Sequence, residues 1–329
     1  MLHRRTLLAA GTGALAATAA AAPVARAQTA WRFATPYPDS NYVGRNNKQF
    51  AEDVRAATGG AVQIQVFPNA SLLPLPQIKR GVQAGQVQVG EILLNAYGNE
   101  DPFFEVDGIP RLVRSWEETR RLAALSRSFT EARLQRQGLT MLYQIPWPPT
   151  GFFSNMPITG VDSLRGTRMR TYSAISNRFA TLVGATPALV QIPEVPQAFA
   201  TNVINLLITS AAAAVDLQVW DFARVFTPVD FAFNCNGVFM SRRALESLPA
   251  AQQQAVREQA ARAEARGWEQ AMEAARTQTQ VLAQRGLEIA QPSVALLEGM
   301  AAVSRQLTEE WLARAGADGR ELMHQLRGA

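Results

Sequence analysis

Beyond residue 30 the chain alternates short runs rich in β-branched and aromatic residues with longer stretches of helical periodicity. Trp31–Thr35, Ala61–Phe67, Val87–Leu94 and Leu139–Ile145 read as strands. Asn41–Ala57, Leu75–Ala84 and Trp116–Gln137 read as helices between them, with Gly59-Gly60 marking a helix stop. This β-α-β-α order predicts a mostly parallel sheet joined by crossover helices. Trp147-Pro-Pro149 breaks the pattern and predicts a crossing to a second lobe. There, Thr167–Thr171, Ala188–Gln191 and Val203–Ile208 predict strands, and Ser173–Val183 and Glu194–Thr201 predict helices. Val225–Phe239 reads as extended and returns to the first lobe. Leu248–Arg285, rich in Ala, Gln, Glu and Arg, predicts one very long helix, or two nearly continuous ones, running along both lobes like a spine. Leu296–Arg314 and Asp318–Leu326 are predicted as the last helices.

The first residues follow a different rule. Arg4 and Arg5 are followed by an apolar, alanine-rich run from Leu7 to Ala22 and by the small-x-small triplet Ala25-Arg-Ala27. That is the pattern of a secretory signal peptide over residues 1–27, and it predicts a periplasmic address. The run is short for a membrane anchor. The Arg4-Arg5 pair admits the twin-arginine export route beside the general one. The remainder, about 300 residues, suits two lobes better than one core. Three positive charges, Arg4, Arg5 and Arg26, belong to the leader, which lowers the net charge from +5 to +2 for the rest. The basic residues are scattered, which argues against nucleic acid as a partner. Cys235 is the lone cysteine, so no internal disulfide forms. The only histidines are His3 and His324. Histidine-based nucleophile pairs and zinc sites are therefore disfavoured, and no cofactor or metal is expected.

One short motif carries chemistry. Leu164-Arg-Gly-Thr-Arg-Met-Arg170 sets Arg168 and Arg170 on a strand leading into a helix. An arginine at the end of such a strand offers a planar, permanently charged fork that matches a carboxylate with two parallel N–H groups. Alternation puts both arginines on one side. An ordinary solvated surface charge is the competing reading for each.

Taken in order, several motifs resemble one family: Thr58-Gly-Gly60, Phe67-Pro-Asn69, the Gly81–Gly85 turn, Gly90-Glu-Ile-Leu-Leu-Asn-Ala-Tyr97, Pro157-Ile158, the Leu164–Arg170 segment and the run from Gly184 to Asn205. The chain resembles the periplasmic solute-binding subunits of tripartite ATP-independent periplasmic (TRAP) transporters, the DctP-like family. The resemblance implies an α/β, two-lobed clamshell of mixed, mostly parallel sheets flanked by helices, with the spine helix across both lobes. Residues 28–149 and 236–275 would form the first lobe, and 150–235 and 276–329 the second. It implies a protein without catalysis that closes on a small carboxylate and delivers it to the TRAP membrane permease subunits, as a monomer or a homodimer.

In that family the arginine at the position of Arg170 pairs with the ligand carboxylate; Arg168 stands where a plain lysine is common. Many members carry a second arginine just before Pro157-Ile158, where this chain has Phe153. They also carry Glu-Asn where this chain has Thr209-Ser210. With Leu93, Asn95, Tyr97, Trp147, Tyr37 and Tyr172 as further candidates, the expected pocket has one anion clamp and largely apolar or aromatic walls. That points to a hydrophobic or aromatic monocarboxylate, or a 2-oxo acid. Core packing is the competing reading for Phe153, Trp147 and Leu93. An exported enzyme using Glu91 and Asp101 on a small acid, and a binding subunit feeding a sensor, are the alternatives.

Overall fold

The computed structural model describes residues 28–328; the expected signal peptide, residues 1–27, lies outside the described residues. Eleven strands are formed among the described residues: β1 (Thr29–Ala34), β2 (Val62–Phe67), β3 (Val89–Leu93), β4 (Leu139–Pro146), β5 (Thr150–Ser154), β6 (Arg168–Thr171), β7 (Thr186–Leu189), β8 (Leu206–Ser210), β9 (Val225–Thr227), β10 (Cys235–Ser241) and β11 (Glu288–Ile289). One sheet runs β2-β1-β3-β10-β4, the other β11-β9-β5-β8-β6-β7. β1 pairs in parallel with β2 and β3, and β10 lies antiparallel between β3 and β4. In the second sheet β6 is parallel to β7 and β8, and β5 is antiparallel to β8 and β9. Both sheets are thus mixed, and the architecture is the two-lobed one expected.

The helices are α1 (Tyr42–Ala57), α2 (Leu75–Gln83), α3 (Trp116–Arg136), α4 (Ala174–Leu182), α5 (Val195–Ala200), α6 (Ala211–Asp216), α7 (Arg242–Glu246), α8 (Ala250–Gln284) and α9 (Val294–Arg327). Their starts follow local chemistry. Asn41 accepts from the Val43 amide to open α1, and Ser173 and Ser176 cap α4 reciprocally. Gly316, at φ 66° and ψ −139°, breaks α9 at the point where the two C-terminal helices were expected to meet.

α8 is the spine. Its 35 residues span about 50 Å. Val256, Ala260, Ala263, Gly267, Ala271 and Ala274 recur at steps of three and four and are buried along it. Most of these belong to the core of the first sheet, while Leu282 near the far end joins a core of the second. Small residues let this helix come close to β4 and α1. Phe103, Val106, Ile109 and Val113, which lie between β3 and α3, pack into the second sheet's core with α4 and α9.

Three local expectations differ from the structure. The sequence predicts no element directly after the Trp147-Pro-Pro149 crossing, yet β5 forms a full strand there. β8 begins at Leu206 rather than Val203, because Asn202 turns the chain in the left-handed region (φ 59°). β7 begins at Thr186, two residues early.

At Gly267 a β-carbon would sit 2.9 Å from Ile145 Cγ1 and 3.3 Å from Asn46 Nδ2. Gly267→Leu is expected to cost about 1–3 kcal/mol by overpacking, read as a lower urea midpoint at unchanged m-value. An unchanged midpoint would show that the spine is not seated on β4 this closely.

Candidate functional site

Side chains from both sheets line one cavity of about 250 Å³. They stand at strand ends and in the loops that follow, the region where open α/β sheets hold ligands. Tyr37 follows β1, Leu93 ends β3 and Trp147 follows β4; Arg170 and Tyr172 lie at the end of β6, and Thr209 and Ser210 end β8.

Arg170 reaches this cavity because Met169, its neighbour on β6, is committed to the core on the opposite face. The side chain is only 4 % exposed. Its Nε donates to the Val190 carbonyl (2.9 Å) and Nη1 to the Ile208 carbonyl (3.1 Å). The guanidinium lies over the Tyr172 ring, 4.9 Å from its centroid. No carboxylate pairs with it among the described residues. Burial lowers its pKa to about 10, so it remains charged at neutral pH. A buried charge with no counter-ion is costly by several kcal/mol. Arg168, by contrast, is anchored at the surface, with Nε donating to the Asn202 carbonyl at 2.7 Å.

Two relays of hydrogen bonds back the walls. In the first, Asn236 Oδ1 accepts from Tyr37 Oη (3.2 Å) and Trp147 Nε1 (2.9 Å). Its Nδ2 donates to Glu91 Oε1 (2.8 Å), and Glu91 Oε2 accepts from Thr35 Oγ1 (2.5 Å) and Asn47 Nδ2 (2.7 Å). In the second, Asn95 Nδ2 donates to Asp107 Oδ1 (2.9 Å) and Asn234 Oδ1 (2.7 Å), and Asn234 Nδ2 donates to Tyr172 Oη (3.1 Å). Each relay starts from a carboxyl group and ends on an aromatic wall. Burial raises both carboxyl pKa values to about 7 against the pull of their hydrogen bonds, and it pushes the Tyr37 phenol up so that it stays protonated. At the rim, Asp216 of α6 accepts from the Asn41 side chain at the start of α1, joining elements that border the cavity from either side.

Of the ten residues singled out in the sequence, Tyr37, Leu93, Trp147, Arg170, Tyr172, Thr209 and Ser210 line the cavity. Asn95 stands one layer behind it. Two do not belong there. Phe153 alternates to the far face of β5, where it stacks on Phe226 at 4.3 Å between ring centroids. The wall position on that strand is Thr150, opposite Ser210 in register. Tyr97 turns away into the core under α2, its hydroxyl donating to the Leu75 carbonyl at 2.5 Å. Asp101 caps a short turn and pairs with Arg133 at 2.9 Å, away from the cavity. Asn234 and Asn236 were missed. Two asparagines two residues apart in an otherwise apolar extended run were the available clue. A fixed cation, aromatic faces and a few short polar side chains suit the holding of a small anion.

A family model described as bacterial extracellular solute-binding protein, family 7 (DctP) matches residues 33–314. Among solved structures, the chain is similar to DctP7, a Bordetella pertussis extracytoplasmic solute receptor binding pyroglutamic acid. The TM-score is 0.90 and the identity 41 %, over 91 % of this chain and 99 % of that one. DctP6 of the same organism, also a receptor binding pyroglutamic acid, matches with a TM-score of 0.90 and 36 % identity over 92 % and 100 % of the two chains. A marine metagenome TRAP solute-binding protein specific for pyroglutamate matches at 0.89 and 28 %, over 92 % and 99 %.

The raised Glu91 pKa has a signed consequence. The folded chain holds that proton more tightly than the unfolded one. The stabilisation is therefore complete below the ordinary value of 4.5 and is lost as pH rises to about 7. Glu310, lowered to about 2 beside Arg178, has the opposite sign and acts below 4.5, outside this window. The Tm of Glu91→Gln should fall less than that of the parent chain between about pH 5 and pH 7.5. Parallel Tm profiles would contradict the raised value.

Proposed function

Because this chain belongs to the DctP family of extracellular solute-binding proteins, whose relatives include TRAP solute receptors, we propose that its cavity captures a small monocarboxylate through Arg170 and that pyroglutamate is the acid it fits best. The receptor then hands the acid to membrane permease subunits. The uncompensated guanidinium carries this reading. Its two carbonyl contacts orient it without neutralising it, so a carboxylate entering the cavity supplies the missing counter-ion and a bidentate partner.

The remainder of the ligand is constrained by the other walls. Tyr37, Trp147 and Tyr172 favour a flat, compact body, while Thr150, Thr209, Ser210 and Asn234 favour one with hydrogen-bonding groups. The five-membered lactam of pyroglutamate combines both properties, which makes it a better candidate than a purely apolar acid. The three similar receptors named above, at 28 to 41 % identity, are each described with pyroglutamate, and this supports the choice. No second cation lines the cavity among the described residues, so a dicarboxylate would leave one charge unpaired.

Calorimetric titration of the chain with L-pyroglutamate tests the clamp. Arg170→Ala should weaken binding by about 2–5 kcal/mol, a loss of at least about 30-fold, with the fold intact by circular dichroism. Arg170→Lys should recover little, since an ammonium cannot reproduce the planar fork. Undiminished binding by the alanine variant would remove Arg170 as the clamp.

A further inference from the structure

The relay behind the first-lobe wall contains one group that can act in one direction only: the Trp147 indole N–H is a donor without acceptor capacity. Asn236 lies between it and Glu91. Its Oδ1 must face Trp147 Nε1 (2.9 Å) and its Nδ2 must face Glu91 Oε1 (2.8 Å). The orientation of this amide is therefore fixed, and the Tyr37 hydroxyl, 3.2 Å from the same Oδ1, can only donate to it. Asn236 is 0 % exposed and does not line the cavity, whereas Tyr37 and Trp147 do.

We propose that Asn236, held by Glu91, is a positioning residue that sets the ligand selectivity of the cavity by turning the polar hydrogens of Tyr37 and Trp147 away from it. The first-lobe wall then offers aromatic surface and no O–H or N–H donor from either ring. A second carboxylate placed against these two rings would be buried without a donor from either, which is costly; Ser40 and Asn69 line the cavity on the same side but are exposed. A compact ring loses little there. The selectivity part rests on the reading of the cavity as a monocarboxylate site; the positioning part does not. Glu91 on β3, Asn236 on β10 and the loops after β1 and β4 all belong to the first sheet, so this relay does not depend on the second lobe.

The test uses Asn236→Val, which removes the shared acceptor, and Asn236→Asp, which retains it while sharing a proton with Glu91. The first readout is the hydrogen-exchange rate of the Trp147 indole N–H in ligand-free protein by NMR, assigned by its absence in Trp147→Phe. Exchange should quicken at least about tenfold in the valine variant, as expected when a buried donor loses its partner, and stay near the parent rate in the aspartate variant. The second is the ratio of affinities for pyroglutamate and glutarate. That ratio should shrink at least about tenfold in the valine variant, because the freed donors now serve the second carboxylate, and return in the aspartate variant. A purely structural role would weaken both acids alike and leave the ratio unchanged, which overturns the selectivity role. Unchanged indole exchange overturns the positioning role. A parent chain that binds neither acid, with indole exchange behaving as expected, sinks the monocarboxylate reading and with it the selectivity role, and leaves the positioning role standing.

Discussion

A buried guanidinium without a counter-ion is the constraint around which the cavity is organised. Arg170 is held in place by two backbone carbonyls and one aromatic face, none of which cancels its charge. Orientation and neutralisation are thereby separated: the protein supplies the first and leaves the second to whatever enters. Such a cation is expensive in isolation, and a carboxylate entering the cavity, as proposed, would gain from relieving that cost. The surrounding β6, bounded by β7 and β8, fixes the direction of the side chain because its neighbour Met169 is locked into the opposite core.

The two polar relays solve a different problem. Aromatic side chains with polar tips can present either a face or a donor to a cavity. Here buried asparagines decide which. Asn236 engages the donors of Tyr37 and Trp147, whereas Asn234 donates to the Tyr172 hydroxyl and leaves that hydroxyl's own proton free to point elsewhere. The wall nearest Arg170 thus differs in hydrogen-bonding character from the wall of the first lobe. Both relays start from carboxyl groups whose protons are held more tightly by burial. The spine α8 packs into cores of both sheets, and Asn41 and Asp216 meet at the rim, so the two walls are joined both behind the cavity and at its edge.

Much of the architecture was legible in the sequence because the β-α alternation is strong and its stops are marked by glycine. The helix break at Gly316 was also visible. β5 was not, since five residues after a Pro-Pro pair offer too little periodicity, and that omission misplaced Phe153. Once Thr150–Ser154 is a strand, alternation sends Phe153 into the core and leaves Thr150 at the cavity. Tyr97 was misplaced for a similar reason: the chain turns after Leu93, which reverses the side facing the ligand. The link between Glu91 and Asn236 joins residues 145 positions apart, and no local pattern encodes it. Arg170 was recognisable because its strand lies in an ordered series of family motifs, whereas Arg168, on the same strand, is engaged by Asn202 at the surface.

The most direct measurement is a crystal structure of the chain with L-pyroglutamate bound. If Arg170 is the anion clamp, both carboxylate oxygens lie within about 2.7–3.0 Å of its guanidinium nitrogens, with the lactam ring against Tyr37 and Trp147. A complex in which the carboxylate lies elsewhere, while Arg170 keeps only its contacts to Val190 and Ile208, contradicts it.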